Sequence, residues 1–141
     1  MRDMSTSEAY AFLSAGTRTG KLAVSRADGR PHVTPIWFVV DGEDLVFTTW
    51  HDSVKGRSLR RDPRAALVVD LEAPPYAFVM VEGEASISDD PRDLLRFATR
   101  IGARYMGADR AEEYGCRNGV EGELLVRLRP TRFVAKDDVS G

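Results

Sequence analysis

The chain has 141 residues, of which 43% are hydrophobic and 30% charged, and its formal net charge is −2. This length and composition predict one globular domain, residues 1–141, and leave no room for a separate catalytic module. Nucleic-acid-binding proteins typically contain an excess of Lys and Arg. The near-neutral net charge of this chain shows no such excess, so no nucleic-acid partner is expected.

Cellular location is predicted from the cysteine count and the apolar segments. Cys116 is the single cysteine, so no intramolecular disulfide can form and no oxidising compartment is required. Residues 1–9 are polar and lack the apolar segment of a signal peptide. Apolar runs such as residues 36–40 are far shorter than the roughly 20 residues that span a bilayer. We therefore expect a cytoplasmic protein without a membrane partner.

The first half of the chain predicts one helix and then strands. Ser5 and Glu8 have the spacing of a capping box, which starts a helix that ends at about residue 15, before Gly16. Residues 20–25, 31–40 and 45–50 have the β-branched and aromatic character of strands. Asp-Gly turns separate them at residues 26–29 and 41–44. Residues 21–50 therefore predict a three-stranded meander.

A second helix and two further strands follow. Ser53 can cap a helix over residues 54–61, and residues 65–71 predict a buried strand. After the turn at Pro74-Pro75, residues 76–88 alternate along a long strand. One face carries the apolar residues Ala77, Val79, Val81, Ala85 and Ile87. The other face begins with Tyr76, Phe78 and Met80 and ends with Glu82 and Glu84, a change that is typical of a partly covered outer face such as a subunit interface.

The last third predicts helices and then two short strands. Pro91 suits the first turn of a helix that runs to about residue 106, and a looser helical stretch covers residues 109–114. Strands are expected at residues 123–128 and 131–135, interrupted by Pro130, with a frayed tail at 136–141. The fold class is mainly β (α+β), with six or seven antiparallel strands in a closed or split β-barrel. A parallel βαβ fold is disfavoured, because early helices and strands do not alternate.

Several common sites are missing from the sequence. There is no GxGxxG after a strand, no Walker A motif and no HExxH. His32 and His51 lie in different segments, so no metal site is expected. Cys116 lies in a loop-like stretch and is expected to be a passive thiol. We assign no catalytic side chain.

A cluster of positive charge follows the strand at residues 45–50. Its members are Lys55, Arg57, Arg60, Arg61 and Arg64. A helix N-terminus binds anions, and Lys55 and Arg57 in its first turn predict a phosphate site. The alternative is a solvated basic helix face, which is the usual role of a charge run.

Two neighbouring strand segments complete the candidate site. Thr48, Thr49 and Trp50 precede the basic helix, where hydroxyl groups suit a phosphate or a ribityl chain; the alternative is simple β propensity. Pro35 interrupts the ladder of its strand, so a flat ring could lie against the backbone there; the alternative is an ordinary edge strand.

At these residues the chain resembles a known family. The segments GKLAV (20–24), DGRPHVTPIWF (28–38), FTT (47–49), KGRSLRRDPRA (55–65) and VEGEA (81–85) are similar to the pyridoxamine 5'-phosphate oxidase-like split-barrel family. The resemblance covers residues 7–134 and is greatest to the F420-dependent reductase branch (flavin/deazaflavin oxidoreductase type B). No equivalent of the C-terminal substrate-binding segment of the true oxidase is recognised, so pyridoxal phosphate synthesis is not expected.

The resemblance implies a homodimer with cofactor sites at the subunit interface. It implies hydride transfer between reduced coenzyme F420 and a small unsaturated or quinone-like acceptor. Two alternatives are an FMN-dependent oxidase or reductase and a non-catalytic carrier of F420, FMN or haem. The implied cofactor-binding residues are His32, Val33, Thr34, Pro35, Ile36, Trp37, Thr48, Thr49, Trp50, Val54, Lys55, Arg57, Ser58, Arg60, Arg61, Tyr76 and Phe78.

Overall fold

The computed structural model describes residues 1–141. The strands are β1 (Arg2–Asp3), β2 (Gly20–Ser25), β3 (Pro31–Ile36), β4 (Val39–Asp41), β5 (Asp44–Trp50), β6 (Arg64–Leu71), β7 (Ala77–Ser88) and β8 (Glu123–Asp137). The helices are α1 (Thr6–Ser14), α2 (Val54–Arg61), α3 (Pro91–Met106) and α4 (Ala111–Asn118), with a 3₁₀ turn at Ala108–Arg110. None of the helices is both long enough and apolar enough to cross a membrane.

All eight strands belong to one antiparallel sheet. The strand order is β3-β2-β6-β7-β8-β5-β4, and β1 pairs with the end of β8. The split-barrel prediction is confirmed, with eight strands instead of six or seven. Two strands are additional: β1, and the one produced by a break in residues 31–40, which form β3 and β4. The two strands expected at 123–128 and 131–135 are instead one strand, β8.

The predicted three-stranded meander is wrong. β2 and β3 form one hairpin and β4 and β5 form another, but β3 and β4 lie at opposite ends of the strand order. The two-residue connection Trp37-Phe38 joins these ends, so the sheet curls into a barrel that is split between β3 and β4. The break follows Pro35, which has no N–H to donate to a ladder. Both predicted turns are confirmed, with Gly29 and Gly42 at positive φ.

β8 runs without interruption past Pro130, contrary to the sequence prediction. Gly83 pairs with Pro130 while Glu82 pairs with Arg132, so Thr131 is the extra residue of a β-bulge. A Cβ on Gly83 would lie 2.4 Å from the carbonyl oxygen of Arg129, which explains the glycine. The bulge absorbs the missing proline N–H and lets one strand serve both halves of the barrel.

Three smaller predictions also differ from the structure. The tail is not frayed, because β8 reaches Asp137. Beyond it, the N–H of Val139 donates to the carbonyl oxygen of Tyr76 and the N–H of Ser140 to that of Pro75, each at 3.0 Å. Tyr76 precedes β7 with a φ of 60°, so it does not share the alternation of that strand. Cys116 lies exposed in α4 instead of a loop.

The helix starts agree with the sequence. Ser5 and Glu8 form the capping box of α1, Ser53 caps α2, and Asp90 caps α3 with Pro91 in its first turn. Two apolar clusters hold the elements together. The larger fills the barrel, and the smaller joins α3 to β4, β5 and β8 through Val39, Val46, Leu94, Phe97, Ile101 and Leu125. Both faces of β5 are therefore buried, and α3 covers the region where β5 ends.

Candidate cofactor site

A cavity of about 380 Å³ lies where the barrel is split and α2 begins. It brings together seven of the sequence-predicted residues: Pro35, Ile36, Trp37, Thr48, Thr49, Trp50 and Lys55. Ser53, Ile101, Asn118 and Glu123 complete its lining. The end of β3, the end of β5 and the first turn of α2 meet here because the connection after Ile36 crosses to the hairpin that contains β5.

The first turn of α2 is fixed by the hydroxyl of Ser53. This oxygen accepts from the N–H of Gly56 at 3.0 Å, and the same hydroxyl donates to the carbonyl oxygen of Trp50 at 2.7 Å. The Oγ1 of Thr49 lies 2.8 Å from it. Since the single hydroxyl proton of Ser53 is already donated, Thr49 must be the donor in this contact. Thr49 therefore presents only lone pairs to the cavity.

Gly56 is required by this turn. A Cβ on Gly56 would lie 2.7 Å from the carbonyl oxygen of Trp50 and 2.9 Å from that of His51. The helix thus begins in close contact with the backbone of the β5–α2 connection. The helix dipole and the unsatisfied N–H groups of a first turn favour an anion at this end.

Lys55 is the cation of the cavity. It is half-buried, and it forms no ion pair or side-chain hydrogen bond within the chain. The other α2 cations are already paired and exposed. Arg57 contacts Asp52 at 3.3 Å, Arg60 donates to the carbonyl oxygen of His51 at 2.6 Å, and Arg61 donates to the carbonyl oxygen of Ser25. Of the α2 cations, Lys55 is the one that lines this cavity.

An aromatic wall closes the other end of the cavity. The ring of Trp37 stacks on that of Tyr105, with centroids 5.1 Å apart and an interplanar angle of 6°, and Tyr114 packs nearby at 5.9 Å. The hydroxyl of Tyr105 donates to the carbonyl oxygen of Arg18 at 3.0 Å and accepts from the N–H of Phe38 at 3.3 Å. Burial raises the pKa of Tyr105, so it stays neutral. Helix α3 thus fixes Trp37 from behind.

The beginning of β3 runs away from the cavity. Val33 points outward and is 65% exposed, whereas His32 and Thr34 alternate with it on the inner face. The Nδ1 of His32 lies 3.2 Å from the guanidinium of Arg26, and the Oγ1 of Thr34 is buried without a partner. Burial lowers the pKa of His32, and the charges of Arg26 and Lys55 lower it further.

Several implied residues do not line the cavity. Ser58 is buried, with 3% of its surface exposed, so it packs into the fold, and Val54 precedes Lys55 without lining the cavity. Phe78 lies near the start of β7, where it pairs with Asp70 and Lys136. The cavity is near the other end of β7, because Ser88 lies opposite Leu125, and Leu125 pairs with the cavity residue Thr48. Ten residues of strand correspond to about 33 Å. Tyr76 and Phe78 are therefore remote from the cavity of their own chain.

Glu123 is a cavity residue that the sequence interpretation missed. It opens β8 directly opposite Trp50, and its Oε2 is buried without a hydrogen-bond partner. Burial raises the pKa of its carboxyl group, against the opposing effects of His51 and Lys55. No local motif marks this position, because it depends on the pairing of β5 with a strand more than 70 residues away. A larger cavity of about 710 Å³ adjoins the first and shares Glu123 with it.

Comparison with known proteins gives a consistent result. The family model described as pyridoxamine 5'-phosphate oxidase matches residues 6–135. A conserved hypothetical protein from Mycobacterium tuberculosis is 28% identical, with a TM-score of 0.84 over 97% of this chain and 87% of the other. A protein named F420 reductase is 31% identical, with a TM-score of 0.68 over 86% of this chain and 93% of the other. HutZ, the haem storage protein from Vibrio cholerae, is 22% identical, with a TM-score of 0.73 over 96% of each chain, and shows the common fold.

Proposed function

Since the chain belongs to the pyridoxamine 5'-phosphate oxidase family, we propose that it is an oxidoreductase with a flavin-like cofactor. We propose further that this cofactor is coenzyme F420 and that hydride passes between reduced F420 and a small unsaturated or quinone-like acceptor. The observation that carries the proposal is the cavity that contains Lys55, Thr48, Thr49 and Trp37. Along such a cofactor, a phosphate is followed by a polyol chain and then by a ring. These three parts match the cation, the hydroxyl groups and the aromatic wall of the cavity.

The residues of the cavity fit such a cofactor. Lys55 would hold the phosphate, with support from the first turn of α2. Thr48 and Thr49 would flank the polyol chain, and Pro35 to Trp37 would lie along the ring. The bound cofactor supplies the hydride, and the protein contributes binding, orientation and exclusion of water. The stacking of Trp37 on Tyr105 holds the wall rigid, which favours a single orientation of the ring.

The choice of F420 is supported by the resemblance of the sequence to F420-dependent reductases and by the 31% identity to a protein named F420 reductase. One observation favours FMN as the second candidate. F420 carries an acidic oligoglutamate tail, but Arg57, Arg60 and Arg61 do not line the cavity. FMN has no such tail, so an FMN enzyme does not need these arginines to bind its cofactor.

A homodimer is the third element of the proposal. On the outer face of the sheet, an apolar row crosses Pro35, Val68, Met80 and Val134 in successive strands, interrupted by Lys21. Val33 also projects from this face. Burial of this face against a second copy would cover the row and could bring Tyr76 and Phe78 of the partner to the cavity. Light scattering during gel filtration tests this: a monomeric mass at micromolar concentration would contradict the dimer.

The cofactor is tested by titration of the purified protein with F420 and with FMN, followed by a turnover assay with reduced F420 and a quinone. We expect tighter binding of F420 and oxidation of reduced F420 that depends on the acceptor. FMN that co-purifies with the protein would contradict the F420 assignment. Tight binding without turnover of any acceptor would support a carrier.

The position of the phosphate is tested at Lys55. A charge-assisted hydrogen bond contributes about 1.5–3 kcal/mol, so Lys55→Ala should weaken binding of the phosphate-bearing cofactor roughly 10- to 100-fold. Lys55→Arg keeps the charge and should retain part of the affinity. Loss of charge at Arg96, an exposed residue of α3, serves as the control, and Arg96→Ala should bind normally. Unchanged affinity in Lys55→Ala would refute the assignment.

A further inference from the structure

Glu123 occupies a position that the proposed cofactor contacts do not explain. In an antiparallel pair, residues directly opposite each other share a face of the sheet. Glu123 lies opposite Trp50, and Leu125 lies opposite Thr48, so Glu123 is on the same face as Thr48. The residue lines both the 380 Å³ cavity and the 710 Å³ cavity beside it. A carboxyl group therefore stands in the same cavity as Lys55.

This carboxyl group has an unused acceptor. Its Oε2 is buried and receives no hydrogen bond. The neighbouring groups are committed elsewhere or do not reach it. His51 donates from Nδ1 to the carbonyl oxygen of Gly122 at 2.9 Å, and Arg60 donates to the carbonyl oxygen of His51. A buried polar atom without a partner costs free energy, so a group that donates a hydrogen bond to this carboxyl group would stabilise the site.

The hydroxyl groups near the cavity do not supply the donor. Thr49 donates its proton to Ser53, and Ser53 donates its own to Trp50, so the nearest hydroxyl network ends on backbone. The cavity thus has one cation, Lys55. Its acceptors are the carboxyl group of Glu123 and the lone pairs of Thr49, and the hydroxyl of Thr48 and the amide of Asn118 also line it. A complementary ligand carries an anion and, close to it, hydroxyl groups that donate.

We propose that Glu123 binds a hydroxyl group of the polyol chain of the ligand whose phosphate Lys55 holds. This inference rests on the proposed function, and it makes Glu123 a determinant of specificity for ligands with a hydroxylated chain beside the phosphate. The carboxylate oxygen accepts the hydrogen bond, and a chain without hydroxyl groups leaves that oxygen unpaired. Recognition by a buried acceptor is specific because the analogue that lacks the donor gains nothing in return.

The test uses a ligand series against a set of variants. FMN has the phosphate and the polyol chain, riboflavin has the chain alone, and lumiflavin has the ring with neither. If the wild type binds deazaflavins only, the corresponding deazaflavins replace them. Dissociation constants come from fluorescence titration, and circular dichroism checks that each variant is folded.

Glu123→Ala should weaken FMN and riboflavin about 10-fold each and leave lumiflavin unchanged. Glu123→Gln keeps an oxygen acceptor and should recover part of the loss. Lys55→Ala should weaken FMN but not riboflavin. Glu112→Ala, at an exposed acid of α4 that lines neither cavity, is the matched control and should bind all three ligands normally.

Two results would overturn the inference. Tighter binding of FMN by Glu123→Ala would mean that the carboxylate only repels the phosphate. An equal loss for lumiflavin would mean that Glu123 supports the ring site or the fold. Failure of the wild type to bind any flavin or deazaflavin would instead reject the proposed function, and this inference with it.

Discussion

β5 and β8 carry charged residues at both ends of their shared ladder, and the two ends differ in how these charges are satisfied. At one end, Asp44 contacts Arg127 at 3.3 Å and Arg129 at 3.1 Å, and Asp41 contacts Arg127 at 3.0 Å and Arg100 at 3.1 Å. At the other end, about 20 Å along the strand, Lys55 has no partner and Glu123 has a buried oxygen without one.

The difference separates a structural role from a binding role. In the network of Asp41 and Asp44, the closed end, each carboxylate accepts from two guanidinium groups, so its charge is compensated within the chain. At the other end, the open end, Lys55 and Glu123 line a cavity and have hydrogen-bonding capacity that no group of the chain uses. Paired charges within a fold set its geometry, whereas unpaired ones in a cavity define the chemistry of what binds there.

The largest expected effect comes from breaking the closed end. Asp44 is 8% exposed, and Asp44→Ala leaves Arg127 with one carboxylate and Arg129 with none. Loss of one partner of a fully buried pair costs about 3–5 kcal/mol, and the exposure of Arg129 reduces this to about 2 kcal/mol. Urea unfolding should show this loss, while cofactor affinity at the distant cavity stays unchanged.

The exposed pair of Asp28 and Arg30 provides the control for that measurement. Arg30→Ala removes this ion pair, 2.7 Å long on the surface of the hairpin turn, and leaves the backbone hydrogen bond from the N–H of residue 30 to Asp28 in place. Exposed pairs contribute below about 1 kcal/mol. Equal losses for the two variants would show that the closed network is no more than a collection of surface contacts.

The sequence predicts the parts of the candidate site that depend on local signals. Ser53 caps α2 as its spacing indicates, and Lys55 follows in the first turn. Pro35 is paired within β3, an end strand that tolerates its missing N–H, and the split of the barrel follows at Trp37-Phe38. These features depend on proline chemistry and helix capping, which act over a few residues.

The parts that the sequence missed depend on long-range pairing. A continuous β-branched run does not reveal that Trp37-Phe38 crosses from one end of the strand order to the other. Similarly, Glu123 reaches the cavity only because β8 pairs with β5. Pro130 was expected to end a strand, but a bulge opposite Gly83 accommodates it. Such features follow from tertiary pairing that one sequence does not display.

A smaller effect is expected behind the aromatic wall. Tyr105→Phe keeps the stacking on Trp37 but removes the hydroxyl that links the backbone of Arg18 and Phe38. Buried groups left without partners should cost about 1.5 kcal/mol. Thermal or urea unfolding measures the loss, and ring binding should persist because the wall remains. A large loss of lumiflavin affinity would show instead that the hydroxyl positions Trp37.

The cap of α2 separates stability from binding at the open end. Ser53→Ala should cost about 1 kcal/mol, the usual contribution of such a cap. Ser53→Asp keeps a capping oxygen and should restore stability, but its charge beside Lys55 should weaken phosphate-bearing ligands. Unfolding curves and FMN titration of both variants are compared. If Ser53→Asp binds FMN as tightly as the wild type, the phosphate lies away from this turn.

The smallest effect is a pH dependence at the closed end. The hydrogen bond from Arg127 lowers the pKa of Asp41, and Arg100 adds to this against the opposing effect of burial. A carboxyl group with a lower pKa in the folded state stabilises the fold above its unfolded pKa of about 3.9. That contribution is lost as the pH falls through the folded value. The stability difference between wild type and Asp41→Asn should therefore shrink as the pH falls from about 5 towards about 2.

The partner residue provides the check on this interpretation. In an Arg127→Met background, Asp41 retains only Arg100, so the pH dependence of the Asp41→Asn difference should be much weaker. Urea unfolding at each pH measures both differences. An undiminished pH dependence would mean that Arg100 alone lowers the pKa of Asp41. The contact with Arg127 would then add nothing to the closed end, and the two ends of the β5–β8 ladder would differ less than their contacts indicate.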